Sequence, residues 1–242
     1  MRMKTKRTIR VSFSDNPPTL NVKLPTAWTE LSQQELADVY AIKAAFGHTS
    51  GRMPFELFRY FSGCRVRRRA GNRFVCTFAA MHADGKVRKV TVPVTPEHLA
   101  ELLACLDFIH NPGCVPVRLD SFGKARALNA ELHGVAFGTY LQLENLYQGF
   151  LQSQNPEALR AMATLLYPGI SLGAVMPPGF AINVLQWMMQ VKALFSRQWP
   201  NFFRPASGSE SATSMLEVMN SEIRALTRGD LTKEDVVMAA DC

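Results

Sequence analysis

The sequence predicts an α+β protein that is mostly helical: a helical core, one or two small antiparallel β-hairpins, and a C-terminal helix pair on a linker. Three observations carry this reading. Apolar residues recur at three- and four-residue spacing over several long stretches, the mark of amphipathic helices. Two stretches alternate apolar and polar residues around turn formers, the mark of hairpins. A Ser/Gly-rich segment over 206–214 separates the last helical patterns from the rest. The expected organisation is a mainly helical α+β domain over 1–205, a flexible linker over 206–214 and a helical segment over 215–242. With 242 residues, 47% apolar and 19% charged, the chain can bury a substantial core, and disorder over most of its length is excluded.

Ile9, Val11 and Phe13 alternate with polar residues, as do Leu20, Val22 and Leu24, and Ser14-Asp15-Asn16-Pro17-Pro18 between them supplies the turn of a hairpin. The Asn-Pro-Pro string resembles the acidic-Pro-Pro-aromatic loop of amino-methyltransferases. However, Thr19 stands in the aromatic's place and no glycine-rich cofactor loop precedes it, so it reads as a turn. Ser32 and Glu35 form a capping box, and Leu36, Val39, Tyr40 and Ala44 continue at helical spacing to Gly47. Pro54 opens a short aromatic helix that Gly63 stops. An arginine cluster then leads into a strand over Phe74–Phe78, Asp84-Gly85 marks a tight turn, and Lys86 to Val92 alternates as the return strand.

Thr95-Pro96-Glu97 is a helix start, with a hydroxyl at the N-cap, proline at N1 and an acid in the first turn. Leu99, Leu102, Leu103, Leu106 and Ile109 form its apolar face, and Asn111-Pro112-Gly113 ends it. Val115 and Val117 predict a short extended segment, while 118–136 carry no clear pattern. Helices are expected over Phe137–Leu151, from Asn155-Pro156-Glu157 to Tyr167, and over Phe180–Gln198. In the last of these, Asn183, Gln186, Gln190 and Arg197 fall on one narrow polar stripe and nearly everything else is apolar. Such a helix is either central to the domain or covered by a second chain. Beyond the linker, Met215, Leu216, Met219, Ile223 and Leu226 mark an amphipathic helix. Gly229 reads as its C-cap, which accounts for the Arg228-Gly229-Asp230 tripeptide. Thr232 and Asp235 start a last helix that still looks helical at Cys242, so the chain is expected to stop partway through it. Two helices this small cannot fold alone and must dock on the body or on another molecule.

Lys and Arg number 27 against 20 Asp and Glu, a net charge of +7. The positive charge is uneven: Met1 to Arg10 holds five basic residues and no acid, and Arg65, Arg67, Arg68, Arg69 and Arg73 form a second cluster. The solvated face of a hairpin explains the second cluster, and a surface for a polyanion or an acidic partner is its functional alternative. The basic start has no apolar run behind it, so it is no secretory signal. Residues 161–191 contain no charge, but Pro168, Pro177 and Pro178 break the run, which argues against a membrane span. Five cysteines at irregular spacing point to a reducing compartment. Cys105, His110 and Cys114 have the spacing of part of a zinc site without the second cysteine pair, and the expectation is no metal and no other cofactor.

No nucleophile elbow, Walker loop, G-x-G-x-x-G or H-E-x-x-H is present; Gly47–Arg52 is the nearest approach to a phosphate loop and lacks its lysine. Glu144, in an otherwise uncharged helix, reads as a solvated or capped surface position. The sequence therefore predicts a non-enzymatic protein without a small-molecule substrate.

Leu24-Pro25-Thr26-Ala27-Trp28, Gly134-Val135-Ala136-Phe137-Gly138-Thr139-Tyr140-Leu141-Gln142-Leu143-Glu144, Asn201-Phe202-Phe203 and Ile223-Arg224-Ala225-Leu226-Thr227-Arg228-Gly229-Asp230 follow one another in an order that resembles a family of uncharacterised proteins from prophages and related mobile elements of gut bacteria. Phe137 to Glu144 is also similar to helix starts in tail-assembly and virion-associated phage proteins. The resemblance implies an assembly role, such as a tail assembly chaperone or small virion connector, in the host cytoplasm or the virion. On this reading Trp187, Met188, Met189, Phe195, Met215, Met219 and Ile223 bind a protein partner or a second copy. The alternative is a nucleic-acid-binding accessory protein that uses Arg65, Arg67, Arg68, Arg69 and Arg73.

Overall fold

The structure, a computed structural model, describes residues 8–11, 20–47, 51–81, 87–198, 223–224, 227 and 230–241. The chain is α+β and mostly helical, with antiparallel sheets of two, three and two strands among the described residues. It divides into two compact units, Met1–Asn111 and Pro112–Cys242, whereas the sequence predicts one domain to 205. The boundary falls at the Asn-Pro-Gly break that ends the helical pattern of the first unit.

In the first unit β1 (Thr8–Val11) pairs with β2 (Leu20–Lys23), Ile9 opposite Val22. Helix α1 (Gln33–Phe46) begins with the predicted capping box: the Glu35 N–H donates to Ser32 Oγ at 3.3 Å, and the Ser32 N–H to Glu35 Oε2 at 2.9 Å. It buries Leu36, Val39 and Tyr40. Helix α2 (Arg52–Ser62) buries Met53, Leu57 and Phe58. A meander of β3 (Arg65–Ala70), β4 (Arg73–Met81) and β5 (Val87–Val94) follows, with β4 central. Its inner face contributes Cys76, Phe78, Val92 and Val94 to the core. Helix α3 (Pro96–Ala104) has Thr95 as its N-cap and ends earlier than its leucine pattern. The chain tightens into a 3-10 turn over Asp107–His110, which still buries Ile109. Trp28 closes the unit: its ring stacks on Tyr40 and meets Phe108 edge-on, and its N–H donates to the Asn111 carbonyl at 2.8 Å.

The second unit is built on α4 (Phe137–Ser153), α5 (Pro156–Leu166) and α6 (Pro178–Gln198), preceded by a minimal hairpin of β6 (Ser121–Phe122) and β7 (Ala125–Arg126). Helix α6 is its central element: Phe180, Val184, Trp187, Met188, Val191 and Phe195 are all buried. At about 1.5–3 kcal/mol for each large side chain enclosed, this helix contributes more to the unit's apolar stabilisation than α4 or α5 does. Its polar stripe is also buried and points at irregular backbone. Asn183 Oδ1 accepts the Leu119 N–H at 2.9 Å, Gln190 Oε1 accepts the Val117 N–H at 2.8 Å, and Gln190 Nε2 donates to the Pro112 carbonyl at 2.7 Å. These amides replace a partner strand. The segment of Val115 and Val117, expected to be extended, pairs with no strand, and the Val117 N–H is satisfied by a side chain of α6 instead.

Trp187, Met188 and Phe195, expected to bind a partner, are buried inside their own unit, and Ile223 is buried too. Met189, at 38% exposure, remains on the surface, while Met215, Met219 and the linker lie outside the described residues. Glu144 is not a solvated surface position. It pairs with Lys192 across α4 and α6 and accepts from Gln148 Nε2 at 2.9 Å. The last helix, α7 (Glu234–Ala239), ends before Asp241, which bridges to Ala136. No helix among the described residues is long and apolar enough to cross a membrane.

Candidate functional site

The arginine cluster lies on β3, an edge strand whose six residues are all exposed. A run of four cations in six residues has no apolar alternation of its own. It becomes a strand because β4 offers it a ladder, with Gly71 at a φ of 60° making the turn between them. The register then sorts the side chains. Arg65 stands opposite Thr77 and Arg68 opposite Val75, on one face of the sheet, and a bulge at Arg67 interrupts the pairing between them. The bulge lets Arg67 reach the same face, where its Nε donates to Thr77 Oγ1 at 3.4 Å. Arg73 and Lys89 share that face by strand alternation. Arg69, opposite Phe74, falls on the other side and donates to the Gly71 carbonyl at 3.1 Å. The structure therefore brings together four of the five predicted arginines, separates the fifth and adds Lys89. Strands β3, β4 and β5 contain no acidic residue, so nothing within the sheet neutralises this face.

Beside the Arg65 end of the face lies a cavity of about 520 Å³. The C-terminal turns of α1 contribute Ile42 and Phe46, and α2 contributes Glu56, Arg59 and Tyr60. The sheet supplies Arg65, Arg67, Thr77, Phe78 and Lys89. Gly63 explains how α2 and β3 come so close. It takes the left-handed conformation at φ 64°, caps α2 and sends the chain directly into the strand. Ser62 fixes this corner, donating to the Phe58 carbonyl at 2.6 Å and accepting the Cys64 N–H at 3.1 Å.

The electrostatics of the cavity are cationic with one internal pair. Arg59 meets Glu56 at 2.7 Å, while Arg65, Arg67 and Lys89 of the wall form no ion pair among the described residues. Arg52 adds another cation above the Phe46 ring, 5.7 Å from its centroid. Tyr60 donates its hydroxyl proton to Asp38 at 2.5 Å. Partial burial first, and then that carboxylate, push the phenol's pKa up, so it stays a neutral donor. Cys64, which lines the cavity, and the buried Cys76 share a hydrogen bond that pushes the Cys64 thiol up and draws Cys76 down. The arrangement can hold an anion at its rim and a flat apolar group against Ile42 and Phe46. The sequence marked the arginines by composition alone. Phe46, Arg59 and Lys89 carry no local signal, because three separate elements deliver them to one place.

No family model, no curated protein and no solved structure matches this chain.

Proposed function

We propose that the chain is a non-enzymatic nucleic-acid-binding protein that docks phosphates on the outer face of β3–β5. The observation that carries this reading is the sorting of Arg65, Arg67, Arg68, Arg73 and Lys89 onto one face of a sheet free of acidic residues. Guanidinium groups pair with phosphate oxygens bidentately, and a row of them along an edge strand suits a repeating anionic backbone. A protein-assembly role through α6 has less support, since Trp187, Met188 and Phe195 are enclosed. The test is fluorescence anisotropy with a labelled oligonucleotide across a salt series. Combined replacement of Arg65, Arg67 and Arg68 by alanine should weaken binding at least about tenfold. It should also flatten the salt dependence by roughly one unit of slope for each phosphate the arginines no longer neutralise. Arg69→Ala, on the opposite face, should leave both nearly unchanged. Binding that is absent, or that both variants reduce equally, removes the proposal.

A further inference from the structure

Resting on that reading, we infer that the cavity beside the basic face receives one unpaired nucleobase, which makes the protein selective for single strands over duplex. Phosphate alone does not account for the site. A phosphate needs cations, whereas here the cavity that Arg65, Arg67 and Lys89 line is lined also by Ile42, Phe46 and Tyr60. Its volume of about 520 Å³ lies within the range of roughly 300–1,000 Å³ typical of small-ligand sites and exceeds what an anion requires. Apolar wall beside arginine is the combination a nucleotide presents in reverse: a flat ring with a π-face, joined to charged phosphate. Arg65, Arg67 and Lys89 border the cavity while Arg68 and Arg73 continue the basic face away from it. A strand whose phosphates follow that face can therefore turn one base into the cavity. A duplex keeps its bases stacked and paired. It can present phosphates to the arginines but nothing to Phe46, so the apolar wall would gain nothing from a duplex.

The experiment compares the full chain's affinity for a labelled 12-nucleotide single strand and for the same sequence as a blunt duplex, with Phe46→Ala, Ile42→Ala and free adenosine monophosphate as probes. The expected result is single-strand binding about tenfold tighter than duplex, the worth of one base stacked on an aromatic ring. Phe46→Ala should remove that preference and leave duplex affinity unchanged, and adenosine monophosphate should displace the single strand. Should Phe46→Ala unfold the unit, Ile42→Ala and the nucleotide competition on the unaltered protein decide. Equal affinity for both forms, with both abolished on replacing Arg65, Arg67 and Arg68, overturns this inference and leaves the nucleic-acid reading intact. Single-strand preference that survives both cavity substitutions, or that millimolar nucleotide fails to compete, also overturns it. Absence of binding to either form overturns both.

Discussion

Lys43 places a cation inside an apolar core. It is 2% exposed, its ammonium donates to the Ile109 carbonyl at 3.1 Å, and it lies 5.0 Å from the centroid of the Trp28 ring. Burial lowers its pKa from 10.5 to about 8, so the folded chain resists the proton that the unfolded chain readily holds. Between pH 8 and 10.5 the unfolded state binds more protons, and stability therefore rises with pH through that window. The rise has a ceiling of about 3 kcal/mol. The burial-raised tyrosines oppose it at higher pH, because their phenols ionise more easily once unfolded. Lys43→Met isolates the lysine, since those other groups are common to both proteins. Urea unfolding at pH 7.5 and at pH 10 should show the wild-type chain gaining about 2 kcal/mol on the variant as pH rises; a gap that does not change with pH contradicts this account. Lys43 stands seven residues after Leu36 and four after Val39, so helical periodicity puts it on the apolar face of α1, and only its residue type suggests solvent.

At the scale of elements, the C-terminal helix shows how a short segment is held. Helix α7 is too short to persist alone and docks on the start of α4. The Phe137 N–H donates to the Ala240 carbonyl at 2.7 Å, and the Gly134 N–H to Asp241 Oδ1 at 2.6 Å. Gly138 allows the approach, because a Cβ there would lie 3.0 Å from Met238 Cε and 3.2 Å from its carbonyl oxygen. The methyl tip can swing away, but the carbonyl cannot without moving α7. Gly138→Ala should therefore loosen α7 while gaining up to about 1 kcal/mol of helix propensity in α4. Hydrogen exchange over 234–240 should quicken about tenfold with little change in melting temperature; unaltered protection there would show that Gly138 is not the docking constraint. Elements with chemical start signals are legible from sequence: the Ser32–Glu35 box, Thr95-Pro96 and Asn155-Pro156 each open the helix they promise. Elements defined by a partner are not. Strand β3 has no pattern apart from β4, and the backbone of 112–119 is ordered by Asn183 and Gln190, which in sequence read only as a polar stripe. The candidate site divides in the same way, its arginines announced by composition and its apolar wall known only from tertiary structure.

For the whole molecule, the division into two units shows that the charge belongs to one of them. Met1–Asn111 carries 17 basic and 9 acidic residues, a net of +8, while Pro112–Cys242 carries 10 and 11, a net of −1. The moderate +7 of the chain is thus a strongly basic unit joined to a nearly neutral one. On the proposed reading, capture of a polyanion depends on the local field, which fades within about 8 Å at physiological salt, so the neutral unit would contribute little to it. Basic residues outside the sheet, including those of Met1 to Arg10, strengthen the same unit's field, which makes encounter less sensitive to any one arginine than docking is. Replacing Arg65, Arg67 and Arg68 should therefore raise the dissociation rate more than it lowers the association rate, a split that stopped-flow measurement resolves. Ultraviolet crosslinking of the full chain to a single-stranded oligonucleotide should place the adducts on peptides from Met1–Asn111, with those containing Phe46, Tyr60 and β3 the most heavily labelled. Adducts concentrated in Pro112–Cys242 would mean that a unit with no excess of positive charge makes the contact, and phosphate attraction to the sheet would then have no part in it.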